Sequence, residues 1–99
     1  MGAIKTVGFT QLEPAKQQDV NRRIEHYVSQ YKRKIDSFDE LNISLKEVHK
    51  ASEKANPVFE INANLISGGD RIHGHAEEFD LITGVNSALT TIESQMRVK

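Results

Sequence analysis

The chain has 99 residues, 37% of them hydrophobic, and a formal net charge of −1, so we expect one domain spanning residues 1–99. It contains no cysteine, which excludes disulfide bonds and thiolate metal sites. There is no apolar run of about 18 residues and no signal-peptide pattern, so we expect no membrane span and a cytoplasmic location.

A strand and a long helix are the first predicted elements. Residues 4–10 favour a strand that places Val7 and Phe9 on one face. Pro14 suits the first turn of a helix that continues to about Ile35. Apolar residues at helical spacing predict its buried face, namely Val20, Ile24, Tyr27, Val28, Tyr31 and Ile35.

Basic residues are concentrated in this first helix. From Lys16 to Lys34 there are six basic and two acidic residues, a net charge of +4, whereas the rest of the chain carries −5. Cations in a row along a helix can contact a nucleic-acid backbone, although a solvated helix face explains the pattern equally well. The candidate phosphate contacts here are Lys16, Arg22, Arg23, Lys32, Arg33 and Lys34.

Three strands and a second helix are predicted after a loop at residues 36–40. Alternating apolar residues predict strands at 41–46 and 59–65, separated by a long polar hairpin loop at 50–57. Gly68 and Gly69 favour a tight turn into a fourth strand, in which Ile72, Gly74 and Ala76 share one face. The last helix is indicated by an apolar stripe of Leu81, Val85, Ala88, Leu89, Ile92 and Met96.

The order β-α-β-β-β-α predicts an α+β fold with both helices packed on one face of a four-stranded sheet. The other face is then polar, as is usual for an antiparallel sheet that faces water. The residues expected on this face are Asn42, Ser44, Lys46, Glu60, Asn62, Asn64, Arg71, His73 and His75. The strand order does not follow from the sequence.

Residue patterns for catalysis are weak throughout the chain. His73 and His75 point the same way on a strand and, with His26 or His49 nearby, could bind a metal, but spacing fixes no acidic third ligand. We therefore interpret them as surface residues and predict no metal site. Paired carboxylates such as Glu77 and Glu78 suggest charge near a helix N-terminus rather than acid–base catalysis. No catalytic residue is predicted.

The hairpin and last helix resemble a known family. The segment FEINANLISGGDRIHGHAEEFD contains an alternating strand, a glycine turn, and then Ile72-His73-Gly74-His75-Ala76-Glu77-Glu78-Phe79-Asp80. This pattern, the helix that follows and the element order are similar to those of the ribosome hibernation-promoting factor family, also called ribosome-associated inhibitor A or sigma-54 modulation proteins, in its short form.

The resemblance implies a ribosome-associated translation inhibitor that acts under stress, is not an enzyme and needs no cofactor. Its partner would be the small ribosomal subunit, where it would bind ribosomal RNA along the decoding channel. Arg97 and Lys99 would add phosphate contacts to those of the first helix.

The last helix departs from the family, because Thr91 and Ser94 stand where Lys and Arg are typical and the basic tail is missing. This departure leaves a second interpretation open, in which the domain has lost RNA binding and mediates protein–protein contact, such as a homodimer formed through the polar sheet face or an exposed sheet edge.

Overall fold

The structure, a computed structural model, describes residues 3–10, 12–35, 37–48 and 58–96. Its elements follow the predicted order β-α-β-β-β-α, which confirms the α+β fold class. Their bounds are β1 Ala3–Val7, α1 Pro14–Lys34, β2 Glu40–Val48, β3 Val58–Ser67, β4 Asp70–Glu78 and α2 Leu81–Gln95. The predicted loop at residues 50–57 lies outside the described residues.

The four strands form one mixed sheet in the order β1-β2-β3-β4. β1 pairs with β2 in parallel, and the pairs β2–β3 and β3–β4 are antiparallel. Parallel neighbours need a long crossover connection, and α1 lies in the connection between β1 and β2. The mixed sheet therefore follows from placing the long helix between the first two strands.

A two-residue turn at Gly68 and Gly69 sets the register of β3 and β4. Their φ angles are +54° and +90°, which glycine adopts without the steric cost that a Cβ brings. Ser67 pairs with Asp70 next to the turn, and the pairing continues outward through Asn62 with His75 to Phe59 with Glu78. The turn predicted from the sequence is confirmed.

Both helices pack on the same face of the sheet, as predicted. One cluster of buried side chains contains residues from α1, α2, β2, β3 and β4, including Tyr31, Leu41, Ile61, Ala76 and Leu89. α2 approaches β4 closely at Gly74, where an added Cβ would collide with the carbonyl oxygen of Ala88. Neither helix in the described part of the chain combines the length and apolarity needed to cross a membrane.

The helices α1 and α2 lie side by side. Tyr27 contacts Thr90 through their hydroxyl groups at 3.0 Å, and one helical turn on, Tyr31 donates to the carbonyl oxygen of Leu89 at 2.6 Å. Burial, with a smaller effect of Glu93, raises the pKa of Tyr31 far above its ordinary value. Both tyrosines therefore join the helices, as their position on the apolar stripe predicts.

The prediction for β1 was wrong in its length and in its buried face. The strand ends at Val7 and not at residue 10, because Gly8 takes a φ of +86° that interrupts the alternation. Val7 pairs with Ser44, which places it on the open face with 66% of its surface exposed. Phe9, beyond the strand, reaches the core and is 7% exposed. All five β1 residues are exposed, so this strand has no buried face.

Candidate nucleic-acid interface

The helix α1 separates an apolar face from a charged face. Pro14 stands in its first turn, and its interior lacks glycine, which favours a continuous helix over 21 residues. Val20, Ile24, Val28 and Tyr31 are buried at steps of three and four residues. The residues between them largely face outward, and Arg22 and Arg23 are among them.

Five of the six predicted cations of α1 are exposed. Arg22 and Arg33 are eleven residues apart, about three turns or 16 Å along the axis, and so lie on the same side of the helix. We call the exposed set the basic ridge, and its members are Lys16, Arg22, Arg23, Lys32 and Arg33. Two acidic residues, Asp19 and Glu25, are exposed on the same helix. The ridge is a positively charged surface about the length of the helix.

The two lysines at the ends of the basic ridge lie near other elements. Lys32 places its ammonium group 5.5 Å from the centre of the Phe38 ring, within range of a cation–π interaction. Lys16 lies near Asp80, the N-cap of α2, whose pKa is lowered mainly by hydrogen bonds from Thr83 and to a smaller extent by Lys16. Both lysines remain exposed and so remain part of the ridge surface.

Lys34 differs from the ridge residues because its charge is paired within the protein. Its Nζ lies 2.9 Å from Oε2 of Glu93 on α2. The side chains are 37% and 21% exposed, respectively. The predicted contact of Lys34 with phosphate would have to compete with this ion pair, whereas the arginines of the ridge have no such contact among the described interactions.

Arg97 and Lys99, the remaining predicted contacts, lie outside the described residues. Their role stays a prediction.

The open face of the sheet is a second polar surface. Residues from β2, β3 and β4 line up in rows across it, and each histidine of β4 contacts an asparagine of β3. Nδ1 of His73 lies 3.0 Å from Oδ1 of Asn64, and Nδ1 of His75 lies 2.8 Å from Oδ1 of Asn62. The predicted polar character of this face is confirmed.

Charge is mixed on this open face. Lys5 pairs with Glu40 at 3.2 Å, and a hydrogen bond from Asn42, followed by that from Lys5, lowers the pKa of Glu40. His75 lies 3.6 Å from Glu77. The sheet therefore lacks the excess of exposed positive charge found on α1, which makes the basic ridge the better surface for a polyanion.

Comparison with known proteins agrees with the fold and the resemblance. A family model described as "Sigma 54 modulation protein / S30EA ribosomal protein" matches residues 14–98. The chain belongs to this family. The match includes α1, with its basic ridge, and every later element, whereas β1 precedes it.

A solved structure of similar fold is that of a ribosomal subunit interface protein from Coxiella burnetii. It shares 18% sequence identity with this chain at a TM-score of 0.64, and the alignment covers 95% of this chain and 92% of that one. At this identity the likeness shows the fold alone. No curated protein sequence matches the chain.

Two acidic residues of the S30EA family chain were assigned no contact or role by sequence reasoning. Glu93 lies 59 positions from Lys34, and nothing in their spacing indicates that α1 and α2 bring them together. Glu60 lies opposite Glu77 on β4, close to His75. Its position did have a signal, because counting outward from the Gly68–Gly69 turn pairs Glu60 with Glu77.

Proposed function

We propose that the chain is a ribosome-associated translation inhibitor that binds ribosomal RNA of the small subunit at the decoding channel under stress. This proposal rests on one observation: the chain belongs to a ribosomal protein family, and its cations are concentrated on the exposed face of one helix. The similarity in fold to a ribosomal subunit interface protein also supports an association with the ribosome.

The basic ridge is the proposed contact surface for RNA. Guanidinium groups bind phosphate oxygens with two parallel hydrogen bonds and stay charged at any physiological pH. Arg22 and Arg33, about 16 Å apart on one side of α1, can contact well-separated phosphates of a folded RNA, and Arg23 flanks them. Lys16 and Lys32 extend the contact to the helix ends, with Arg97 and Lys99 as further proposed contacts.

Inhibition then follows from occupancy rather than from chemistry. A protein bound in the decoding channel occupies the space that messenger and transfer RNA need, so translation stops while it is bound. This function needs no catalytic residue and no cofactor, and it places the protein in the cytoplasm. We propose that residues 1–99 form one domain, which phosphate contacts hold in the channel.

Sedimentation of ribosomes with the purified protein tests this proposal. At low salt we expect the protein in fractions with small subunits or whole ribosomes, and we expect it to be released as salt rises, because phosphate contacts release bound counterions. Changing Arg22, Arg23 and Arg33 together to Glu is expected to abolish the association. Binding that survives this triple change contradicts the proposal.

A matched control distinguishes the effect of the basic ridge from the effect of net charge alone. Changing Lys50, Lys54 and Arg71 to Glu alters the net charge by the same amount at positions outside α1, and Arg71 is exposed on β4. The control variant is expected to keep most of the ribosome binding. Circular dichroism establishes that both triple variants are folded before their binding is compared.

A homodimer is the second candidate function, and the edge strand β1 favours it. β1 has a neighbour on one side only in the described sheet, and its Ile4 and Val7 are 42% and 66% exposed. Exposed edge strands with apolar side chains can pair with another chain. Sedimentation equilibrium at high concentration tests this candidate, and a monomer there eliminates it.

A further inference from the structure

Three side chains with metal-binding groups converge on the open face of the sheet. Glu60 on β3 and His75 and Glu77 on β4 each offer one ligand atom, and these atoms all lie within 4.8 Å of one another. The register explains the convergence, because Glu60 pairs directly with Glu77, and His75 lies two residues away on the same face. We infer that Glu60, His75 and Glu77 form a binding site for a divalent transition-metal ion.

The imidazole of His75 is oriented for this role by Asn62. Oδ1 of Asn62 can only accept a hydrogen bond, so the contact of 2.8 Å places the proton of the neutral ring on Nδ1. Nε2 then carries the lone pair and lies 3.6 Å from Oε1 of Glu77. Histidines that bind metals commonly donate their other N–H to such an acceptor, which fixes the ring and its tautomer.

The two carboxylates provide the charge that attracts a cation. Like charges directly opposite each other on neighbouring strands destabilise a sheet. Lys46 on β2 lies opposite Glu60 on its other side, so one positive charge in the same row faces the two negative ones. A divalent ion between Glu60 and Glu77 removes the remaining repulsion and connects β3 to β4.

The mixed ligand set indicates the class of ion. One imidazole with two carboxylates suits Zn²⁺ and similar first-row ions, whereas Mg²⁺ and Ca²⁺ prefer oxygen ligands alone. Tetrahedral Zn²⁺ with bonds of about 2.0–2.2 Å needs its ligand atoms about 3.3–3.6 Å apart, so the group must contract slightly. The side chains of His75 and Glu77 are 43% and 50% exposed, which leaves them room to rotate.

His73 provides an internal comparison on the same strand. It makes the same contact with an asparagine, Nδ1 to Oδ1 of Asn64 at 3.0 Å. The third residue of its row is Asn42, and His73 belongs to no metal-binding group in the part of the chain that the structure describes. The carboxylates and not the histidine–asparagine contact therefore distinguish the proposed site.

Isothermal titration calorimetry with Zn²⁺ tests the site on the full chain without a histidine tag. We expect one ion per chain, and no competition from Mg²⁺ at the same concentration. His75→Ala, Glu77→Gln and Glu60→Gln are each expected to weaken binding by about tenfold or more, since even loss of an outer hydrogen-bond partner weakens metal sites by about that factor. His73→Ala is the matched control and is expected to bind as the wild type does.

A second measurement identifies the atom that binds. In nitrogen-detected NMR of the imidazoles, Zn²⁺ is expected to shift Nε2 of His75 while its Nδ1 stays protonated and His73 is unchanged. The site is overturned if the wild type does not bind Zn²⁺, if His75→Ala still binds as the wild type does, or if Glu60→Gln has no effect. Equal loss in His73→Ala overturns it as well. None of these outcomes bears on the proposed ribosome binding, which rests on α1.

Discussion

The hydroxyl group of Tyr31 on α1 donates a hydrogen bond to the carbonyl oxygen of Leu89 on α2, with 2.6 Å between the two oxygens. Both residues are fully buried. Because buried polar groups need partners, this bond fixes the position of the basic helix relative to α2. A hydrogen bond in the core therefore helps to position the helix that carries the surface proposed to bind RNA.

Replacing Tyr31 with Phe tests this connection. We expect the variant to lose about 1 kcal/mol of unfolding free energy, the usual value of one intramolecular hydrogen bond, because the ring is kept and only the bond is lost. Urea denaturation measures the change. Tyr27→Phe is the matched control, because its bond to Thr90 is in contact with water and its loss should matter less. An equal effect of the two changes would contradict the special role of Tyr31.

Gly74 is expected to tolerate no larger residue. An added Cβ would meet the carbonyl oxygen of Ala88 and lie 3.0 Å from Cγ1 of Ile92, so α2 would have to move away from β4. Gly74→Ala is expected to cost about 1–3 kcal/mol, the usual range for overpacking a core. Denaturation in urea measures this cost, and His73→Ala, on the exposed side of the same strand, should remain close to wild type. A stable Gly74→Ala variant would mean that the two elements are not in close contact.

The sequence allowed most of the fold to be predicted because its periodic signals are strong. The apolar stripe of α1 and the alternation around Ile61 identify buried faces without knowledge of the neighbours. β1 was the exception, because Val7 and Phe9 alternate in sequence while Gly8 between them takes a left-handed conformation. Periodicity does not reveal the backbone conformation of a single glycine. The conformation of Gly8 places Val7 and Phe9 on different surfaces.

Only one part of the candidate site could be predicted from the sequence, namely which residues of α1 are exposed. Helical spacing places Arg22 and Arg33 on the outer face of α1 without any tertiary information. It does not reveal that Lys34 meets Glu93, since that contact depends on the packing of two helices far apart in sequence. The group around Glu60 depends on strand register in the same way.

Asp80 is expected to stabilise α2 in a pH-dependent way. Its carboxylate accepts hydrogen bonds from Oγ1 and the backbone N–H of Thr83 at 2.7 and 2.9 Å, and these bonds lower its pKa below the ordinary 3.8. A folded-state pKa below the unfolded value means that this stabilisation is present above pH 3.8 and is lost as the pH falls through the folded-state pKa.

Two substitutions at Asp80 separate the cap from its charge. Asp80→Ala should melt at a lower temperature than wild type at pH 7, and the difference should shrink as the pH falls below 3.8. Asp80→Asn keeps the hydrogen-bond acceptor and should stay near wild type while losing this pH dependence. Thermal melts from pH 7 to acidic pH measure both effects, and a constant gap between wild type and Asp80→Ala would refute the charge effect.

Arg33 and Lys34 are neighbours in sequence but should contribute differently to RNA binding. Arg33 is exposed in the basic ridge, whereas Lys34 is paired with Glu93 at 2.9 Å. Arg33→Met should therefore reduce the slope of log affinity against log salt concentration by about 0.7–0.9, the value expected for one lost phosphate contact. Lys34→Met removes the same charge but should change the slope less, because its ammonium group already has a carboxylate partner. Titrations of small-subunit ribosomal RNA at several salt concentrations measure both slopes. Equal slopes for the two variants would show that Lys34 leaves Glu93 to contact phosphate. In that case Glu93→Gln, which frees Lys34, should leave the slope unchanged. If Lys34 instead stays paired with Glu93 in the wild type, Glu93→Gln should make the slope steeper.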